Sequence, residues 1–183
     1  IQVLVKFHVI DKNLYSRISE INTALDIVKI CDPAIGSGAL MNSIASNNVA
    51  VGKDALFSNT TGFNNVASGF QSLYYNTTGQ NNLAFGNYSM LYNTTGNFNL
   101  ALGTYSLFIN STGYRNCAIG FASLNRNESG HENVALGYYA LNQNKTGNNN
   151  VAVGMDGLRN NSNGNFNVAI GDSALLTNYS GSY

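Results

Sequence analysis

Apolar and polar positions recur every seventeen residues from residue 48 onward, with no insertion. Each unit opens with Asn, continues with a small apolar residue, Ala and one further, mostly apolar residue, and reaches Gly at its fifth position. The first unit starts at Asn48 and the eighth at Asn167. A fixed period of this length is typical of a solenoid in which each repeat forms one turn. We therefore predict an all-β fold, a β-solenoid (parallel β-roll) of 17-residue turns.

Within one unit, numbered from its Asn, the residue types predict two strands and two corners. Positions 2 to 4 form a strand that is apolar on both faces, so one face fills the interior and the other needs cover. Gly at position 5 suits a corner with positive φ. Positions 8 to 11 form a second strand with an inward Leu at position 9. Positions 12 to 15, often Asn-Thr-Thr-Gly, form a tight, exposed turn whose Gly takes the left-handed conformation.

Two regions are predicted along the chain. Residues 32–47 repeat the motif once in degenerate form, one residue short, and residues 48–183 hold the eight full repeats. The solenoid therefore spans 32–183. Residues 1–31 form a separate cap or assembly element, with a strand over 1–10 and a helical pattern over 14–28. One face of that strand carries only apolar side chains, namely Ile1, Val3, Val5, Phe7 and Val9.

Position 10 suggests where this amino-terminal element belongs. In the first four full repeats it is apolar, as Phe57, Tyr74, Leu91 and Phe108, and it is mostly polar later. Four turns span about 19 Å, and a helix over 14–28 spans about 22 Å. We expect the element to lie along this column, in its own subunit or a neighbour's. The strand over 1–10 pairs with the first turn of its own solenoid or adds to another subunit, and the sequence leaves both open.

Composition narrows the function classes. Only 10% of residues are charged, and nine acidic residues balance nine basic ones. Such a surface has no electrostatic footprint for nucleic acid or for an anionic membrane. The sequence contains no run of eighteen apolar residues, so no membrane span is predicted. Solubility then depends on neutral polar groups, which asparagine supplies.

The chain offers no convincing catalytic, metal or cofactor site. Its two histidines, His8 and His131, are isolated, and its acidic residues do not align between turns. Cys31 and Cys117 lie about five turns apart along the predicted solenoid, too far for a disulfide within one chain, and a bridge between subunits stays open. We therefore predict that the protein is not an enzyme and binds no cofactor.

Glycosylation is the one modification that the sequence indicates. Nine Asn-x-Ser/Thr motifs are candidates, and seven of them fall at position 12. The alternative is that these residues serve turn chemistry alone. The candidates are Asn59, Asn76, Asn87, Asn93, Asn110, Asn127, Asn144, Asn160 and Asn178.

The unit Asn-Val-Ala-Ile-Gly-Asp-Ser-Ala-Leu at 167–175, with its seven relatives, resembles the repeats in the heads of trimeric autotransporter adhesins (the YadA-like heads). It is also similar to the Asn-Thr-Thr-Gly repeats of phage and giant-virus fibre proteins. The resemblance covers about four fifths of the chain. It implies a left-handed parallel β-roll, assembled side by side, exposed outside the cell and used for attachment. The 17-residue period departs from those heads, which commonly repeat every fourteen or so residues.

The sequence as a whole predicts a non-enzymatic, extracellular structural protein at the cell surface. Its expected partner is itself, in a homo-oligomer, fibre or filament, or in an adhesin that contacts surface glycans or a host receptor. The last repeat presents an open strand edge, which would favour association. The alternative is a receptor-binding or sugar-binding head of a phage or viral tail fibre.

Overall fold

The structure is a computed structural model that describes residues 32–182. The strand expected over 1–10 and the helix expected over 14–28 lie outside these residues. So do the predicted assembly residues Ile1, Val3, Val5, Phe7 and Val9.

The described chain forms an all-β solenoid whose strands make one parallel sheet, in chain order from β1 to β9. Each strand has two or three residues, because Gly at position 5 ends it. The predicted fold class is confirmed. The strands are β1 (Ala34–Ile35), β2 (Val49–Val51), β3 (Val66–Ser68), β4 (Leu83–Phe85), β5 (Leu100–Leu102), β6 (Cys117–Ile119), β7 (Val134–Leu136), β8 (Val151–Val153) and β9 (Val168–Ile170).

The register follows the sequence period. Ala50 pairs with Ala67, and every later pair of neighbouring strands keeps the same seventeen-residue offset. Ala34 pairs with Ala50 at an offset of sixteen, so the short first turn joins the same sheet. Nine strands at the usual spacing of about 4.8 Å give a stack about 38 Å long.

The alternation of strand side chains places Ala at position 3 inside the coil. Ala67, Ala84 and Ala101 have no exposed surface, whereas positions 2 and 4 face outward and are half-buried or exposed. The opposite wall supplies the long side chain at position 9, which is fully buried in the first seven full repeats. Small Ala therefore packs against a column of Leu and Met, which closes a narrow core.

The second strand predicted at positions 8 to 11 is wrong. Positions 7 and 9 both take left-handed φ angles, for example 58° at Tyr105 and 46° at Leu107, so this wall of the coil is a series of turns. A left-handed residue other than Gly costs about 1–2 kcal/mol. Full burial of Leu contributes about 2 kcal/mol, and the Leu107 N–H donates to the carbonyl oxygen of Ser123 at 3.0 Å. Together these contributions offset the strain.

The two invariant glycines serve different purposes. Gly52 at position 5 has φ of 134°, and a Cβ there would lie 2.5 Å from the carbonyl oxygen of Gly69, so the predicted positive-φ corner is confirmed. Gly79 at position 15 does not have the left-handed φ that the sequence suggested. It is required because a Cβ would collide with Asn76 Oδ1 and with the carbonyl oxygen of Gly96.

Candidate functional surfaces

A continuous ladder of asparagines runs inside the stack at position 1. Asn99 illustrates the rung: its backbone N–H and its Nδ2 both donate to Asn82 Oδ1, at 3.0 and 3.1 Å. Its own Oδ1 accepts the same pair of bonds from Asn116, at 3.0 and 3.2 Å. The side chains of this column are at most 2% exposed. Each rung therefore satisfies the next without water.

A second ladder runs parallel to the first at position 12. Asn93 Nδ2 donates to Asn76 Oδ1 at 2.8 Å, and Asn110 Nδ2 donates to Asn93 Oδ1 at 2.7 Å. The carbonyl oxygen of the position 15 glycine joins the two ladders. In one turn, Gly96 accepts from Asn93 at 3.0 Å and from Asn82 at 2.8 Å. Nearly all hydrogen-bonding groups of this half of the interior are thus used within the chain.

These hydrogen bonds determine which of the predicted glycosylation sites are accessible. The exposed corner predicted for position 12 is wrong at six of its seven sequons, because the asparagine side chain points inward and has no exposed surface. A sugar on Nδ2 would replace one of the two protons that donate to the preceding rung and to the glycine carbonyl, and it would have to fit where the side chain has no exposed surface. Glycosylation and the folded turn are therefore mutually exclusive at Asn59, Asn76, Asn93, Asn110, Asn127 and Asn144.

The other three candidates lie nearer the surface. Asn87 is exposed, and its Oδ1 accepts from the Phe70 N–H at 3.0 Å. Asn160 and Asn178 are half-buried. Glycosylation stays a prediction at these positions, with Asn87 the most accessible.

The predicted assembly column at position 10 is largely covered by the chain itself. The rings of Phe57 and Tyr74 stack with centroids 5.0 Å apart, and Leu91 is only 6% exposed. Phe108 packs edge-on against Tyr92 at 5.3 Å. The column exists as a continuous feature, but aromatic neighbours that the sequence analysis did not single out shield it.

Those neighbours extend the column into an aromatic flank. Tyr75 and Tyr92 at position 11 stack with an interplanar angle of 7°, and Tyr74 packs edge-on against Tyr75. Further ring contacts continue through Tyr105 to Phe121. The signal was present in the sequence, since each of the first four full repeats has an aromatic residue at position 10, at position 11 or at both. The flank therefore combines face-to-face contacts, as between Tyr75 and Tyr92, with edge-on contacts, as between Tyr92 and Phe108.

In the later turns polar groups occupy position 10 and bond to the backbone. Asn125 Nδ2 donates to the Tyr105 carbonyl oxygen at 3.0 Å, and Asn142 Nδ2 donates to the Ala122 carbonyl oxygen at 2.8 Å. Arg159 lies over the Tyr139 ring at 4.7 Å and pairs with Asp156. The polar side chains at position 10 of these turns therefore have their bonding partners within the chain and need no second protein.

The outer strand face is different, since no other part of the described chain covers it. We define it as positions 1 to 5 of the turns that carry β2 to β9. Its outward side chains include Phe85 at 44% exposure, Val51 and Ile119 at 37% each, and Cys117, which is half-buried. Burial raises the pKa of the Cys117 thiol. The face contains no charged residue and no histidine in any of these turns.

Charged groups are sparse and lie on the surface. Arg115 pairs with Glu132 at 3.0 Å, and His131 stacks on Tyr114. Within residues 32–182, no three His, Cys, Asp or Glu side chains are placed to hold a metal ion. The same residues include no helix that is long and apolar enough to cross a membrane.

The fold and its surfaces define a class, the parallel β-solenoid with internal asparagine ladders. Comparisons with protein-family models, with curated proteins and with solved structures give no match.

Proposed function

We propose that this chain is a non-enzymatic structural repeat protein that self-associates as a subunit of an extracellular fibre or adhesin. One observation carries the proposal: large apolar side chains are exposed along the length of the stack, including Val51, Phe85, Ile119 and Ile170 at position 4. Exposed apolar patches of more than a few hundred Å² mark interaction sites. Apolar side chains that recur along a repeat offer similar contacts several times, which suits assembly better than catalysis.

The interior supports the same proposal. Its polar groups are used up in the two asparagine ladders, so the stack is a rigid rod that needs no ligand to hold its shape. The low charge also fits close packing of identical subunits, because few ionic groups have to lose water. Location outside the cell rests on the resemblance to adhesin and fibre repeats and on the neutral, asparagine-rich surface.

A sugar-binding head is the other function that the sequence suggested. Stacking of a sugar on an aromatic residue needs a free ring face. On the aromatic flank, Tyr75 and Tyr92 present their faces to each other, and Tyr74 packs against Tyr75. These contacts leave little free ring face for a sugar on this part of the flank.

Sedimentation of the purified full chain, together with negative-stain images, tests the proposal. We expect assemblies of at least two copies at micromolar concentration. A chain that stays monomeric at every concentration up to solubility, with no particles larger than one rod, would contradict it.

A further inference from the structure

The outer strand face lacks cover from the rest of the described chain, and its chemistry points to one partner. We infer that a second copy of this chain packs on it, sheet against sheet, as a two-fold dimer. This inference rests on the proposed self-association and names the surface and the symmetry that produce it.

The area of the face agrees with that of a stable dimer. Eight strands span about 34 Å, and five residues across the face span about 17 Å, which gives roughly 570 Å² of flat area. A standard interface buries about 800 Å² per partner, measured over the relief of the side chains. The face is therefore large enough to hold two copies together without help from another surface.

The chemistry of the face selects a second copy over other partners. From β2 to β9 the face carries Val, Leu, Ile, Phe, Cys and one Ser on its outward positions, and no charge. Packing it on itself buries no ionic group. A nucleic acid or an acidic or basic peptide would meet no complementary charge there.

The shape of the face selects two-fold symmetry. Sheets pack face to face about 10 Å apart, and two flat faces of equal length cover each other completely. Three copies around an axis would meet only along the edges of their faces and leave the rest bare. A two-fold contact uses the same patch on both subunits, so each copy supplies what the other lacks.

The strand expected over residues 1–10 is too narrow to replace the second copy, and the helix expected over 14–28 is assigned to the position 10 column on the opposite wall. Ten extended residues reach about 33 Å, which matches the length of the stack, but one strand is only about 5 Å wide. It would cover less than a third of the face. A dimer covers all of it.

Two charge variants of the full chain test the inference in analytical ultracentrifugation. Phe85→Lys with Ile119→Lys places two lysines on exposed positions of the face. Thr78→Lys with Thr95→Lys adds the same charge on exposed residues of the opposite corner. We expect a dimer for the wild type and for the corner variant. Because buried unpaired charges are costly, we expect the face variant to dissociate with a constant at least about a hundredfold higher.

Cys117 supplies a second readout that needs no charged variant. In a Cys31→Ser background, alkylation of Cys117 should slow at least about tenfold as the protein concentration rises through the dissociation constant, because the dimer buries the thiol. A cysteine placed at Thr78, in a background without the two native cysteines, should react at a rate independent of concentration. This readout decides the question if the face variant does not fold.

The outcomes separate this inference from the proposed function. If the wild type associates but the face variant keeps its affinity, or Cys117 reacts equally fast at all concentrations, the interface lies elsewhere and self-association stands. A wild-type trimer overturns the two-fold arrangement alone. A monomer whose Cys117 is always protected means that residues 1–31 cover the face. A monomer whose Cys117 is always reactive would show that nothing covers the outer strand face. In both monomer cases the inference and the proposed function fail together.

Discussion

The interior of the coil and its outer strand face are built from the same repeat, but the interior residues are nearly constant whereas the outward residues vary. Inside, Asn99 bonds to Asn82 and Asn116, and the same arrangement recurs in turn after turn. Outside, position 4 ranges from Ser68 to Phe85 without disturbing the stack. The interior is constrained because each rung must fit two neighbours, whereas the outer face has no neighbour in the described chain. Changes inside should therefore alter stability, and changes outside should alter association.

The largest effect is expected from Asn99→Asp. One carboxylate oxygen would replace the Nδ2 donor and would face both the Gly113 carbonyl oxygen and Asn82 Oδ1 without a proton between them. We expect the free energy of unfolding at pH 7 to fall by about 4 kcal/mol, as measured by urea denaturation. Acidification below about pH 4 should restore part of it, because the protonated acid donates again.

Asn87→Asp is the matched control for this change. Asn87 lies on the surface and uses only its oxygen, which a carboxylate retains. Its stability should change by less than about 0.5 kcal/mol. Equal losses at positions 87 and 99 would show that the buried ladder has no special role.

Leu107→Ala probes the apolar half of the interior. The side chain is fully buried, so its removal leaves a cavity between two turns. We expect a loss of about 3 kcal/mol in thermal or urea unfolding. Leu136→Ala, on the outer strand face, should cost less than about 1 kcal/mol in the dilute monomer because that side chain is half-buried. A reversed order would contradict the division into interior and face.

A smaller effect is expected from Tyr75→Ala on the aromatic flank. The ring stacks on Tyr92 and touches Tyr74, so its loss should cost about 1 kcal/mol of stability. The sedimentation coefficient should not change, since this flank is not the predicted interface. Loss of association in this variant would move the interface from the strand face to the flank.

The smallest effect is expected at the first rung, where Asp32 stands in place of Asn. Burial raises the pKa of the Asp32 carboxyl, while hydrogen bonds from Asn48 lower it to a smaller extent. A raised folded-state pKa means that its contribution to stability is fully present below the ordinary value of 3.8 and is lost as the pH rises through the folded-state pKa.

Asp32→Asn should remove this pH dependence. The variant should be more stable than the wild type at pH 7 and should match it at pH 3, as measured by thermal unfolding at both pH values. A variant that is less stable than the wild type at pH 7 would show that the ionised carboxylate is the better first rung.

Much of the fold was predictable because the same residue types recur at the same positions of every repeat. The period fixed the register, the alternation around Ala placed that residue inside, and the constant Leu marked the opposite wall. The second strand was not predictable, because Leu107 in a left-handed turn and Leu in a strand both give a buried residue once per turn. Only the φ angles distinguish them.

The asparagines show why the sites were harder to predict. Asn-Thr-Thr-Gly reads as an exposed turn when a single turn is considered, and it also forms a glycosylation motif. The hydrogen-bond partner of Asn93 lies in another turn, seventeen residues away, so no local pattern reveals it. One signal was available: Asn and Gly are constant at positions 12 and 15, whereas the exposed positions between them vary from Thr to Glu and Lys.

Hydrogen exchange of the asparagine side-chain amides, followed by NMR, shows whether the two asparagine ladders are closed to water and hold the stack together. If the two ladders hold the stack, the Nδ2 protons of Asn99 and Asn110 should exchange at least about a thousandfold more slowly than those of exposed Asn87. Similar exchange rates at all three positions would show that the ladder asparagines face water, and would contradict the account.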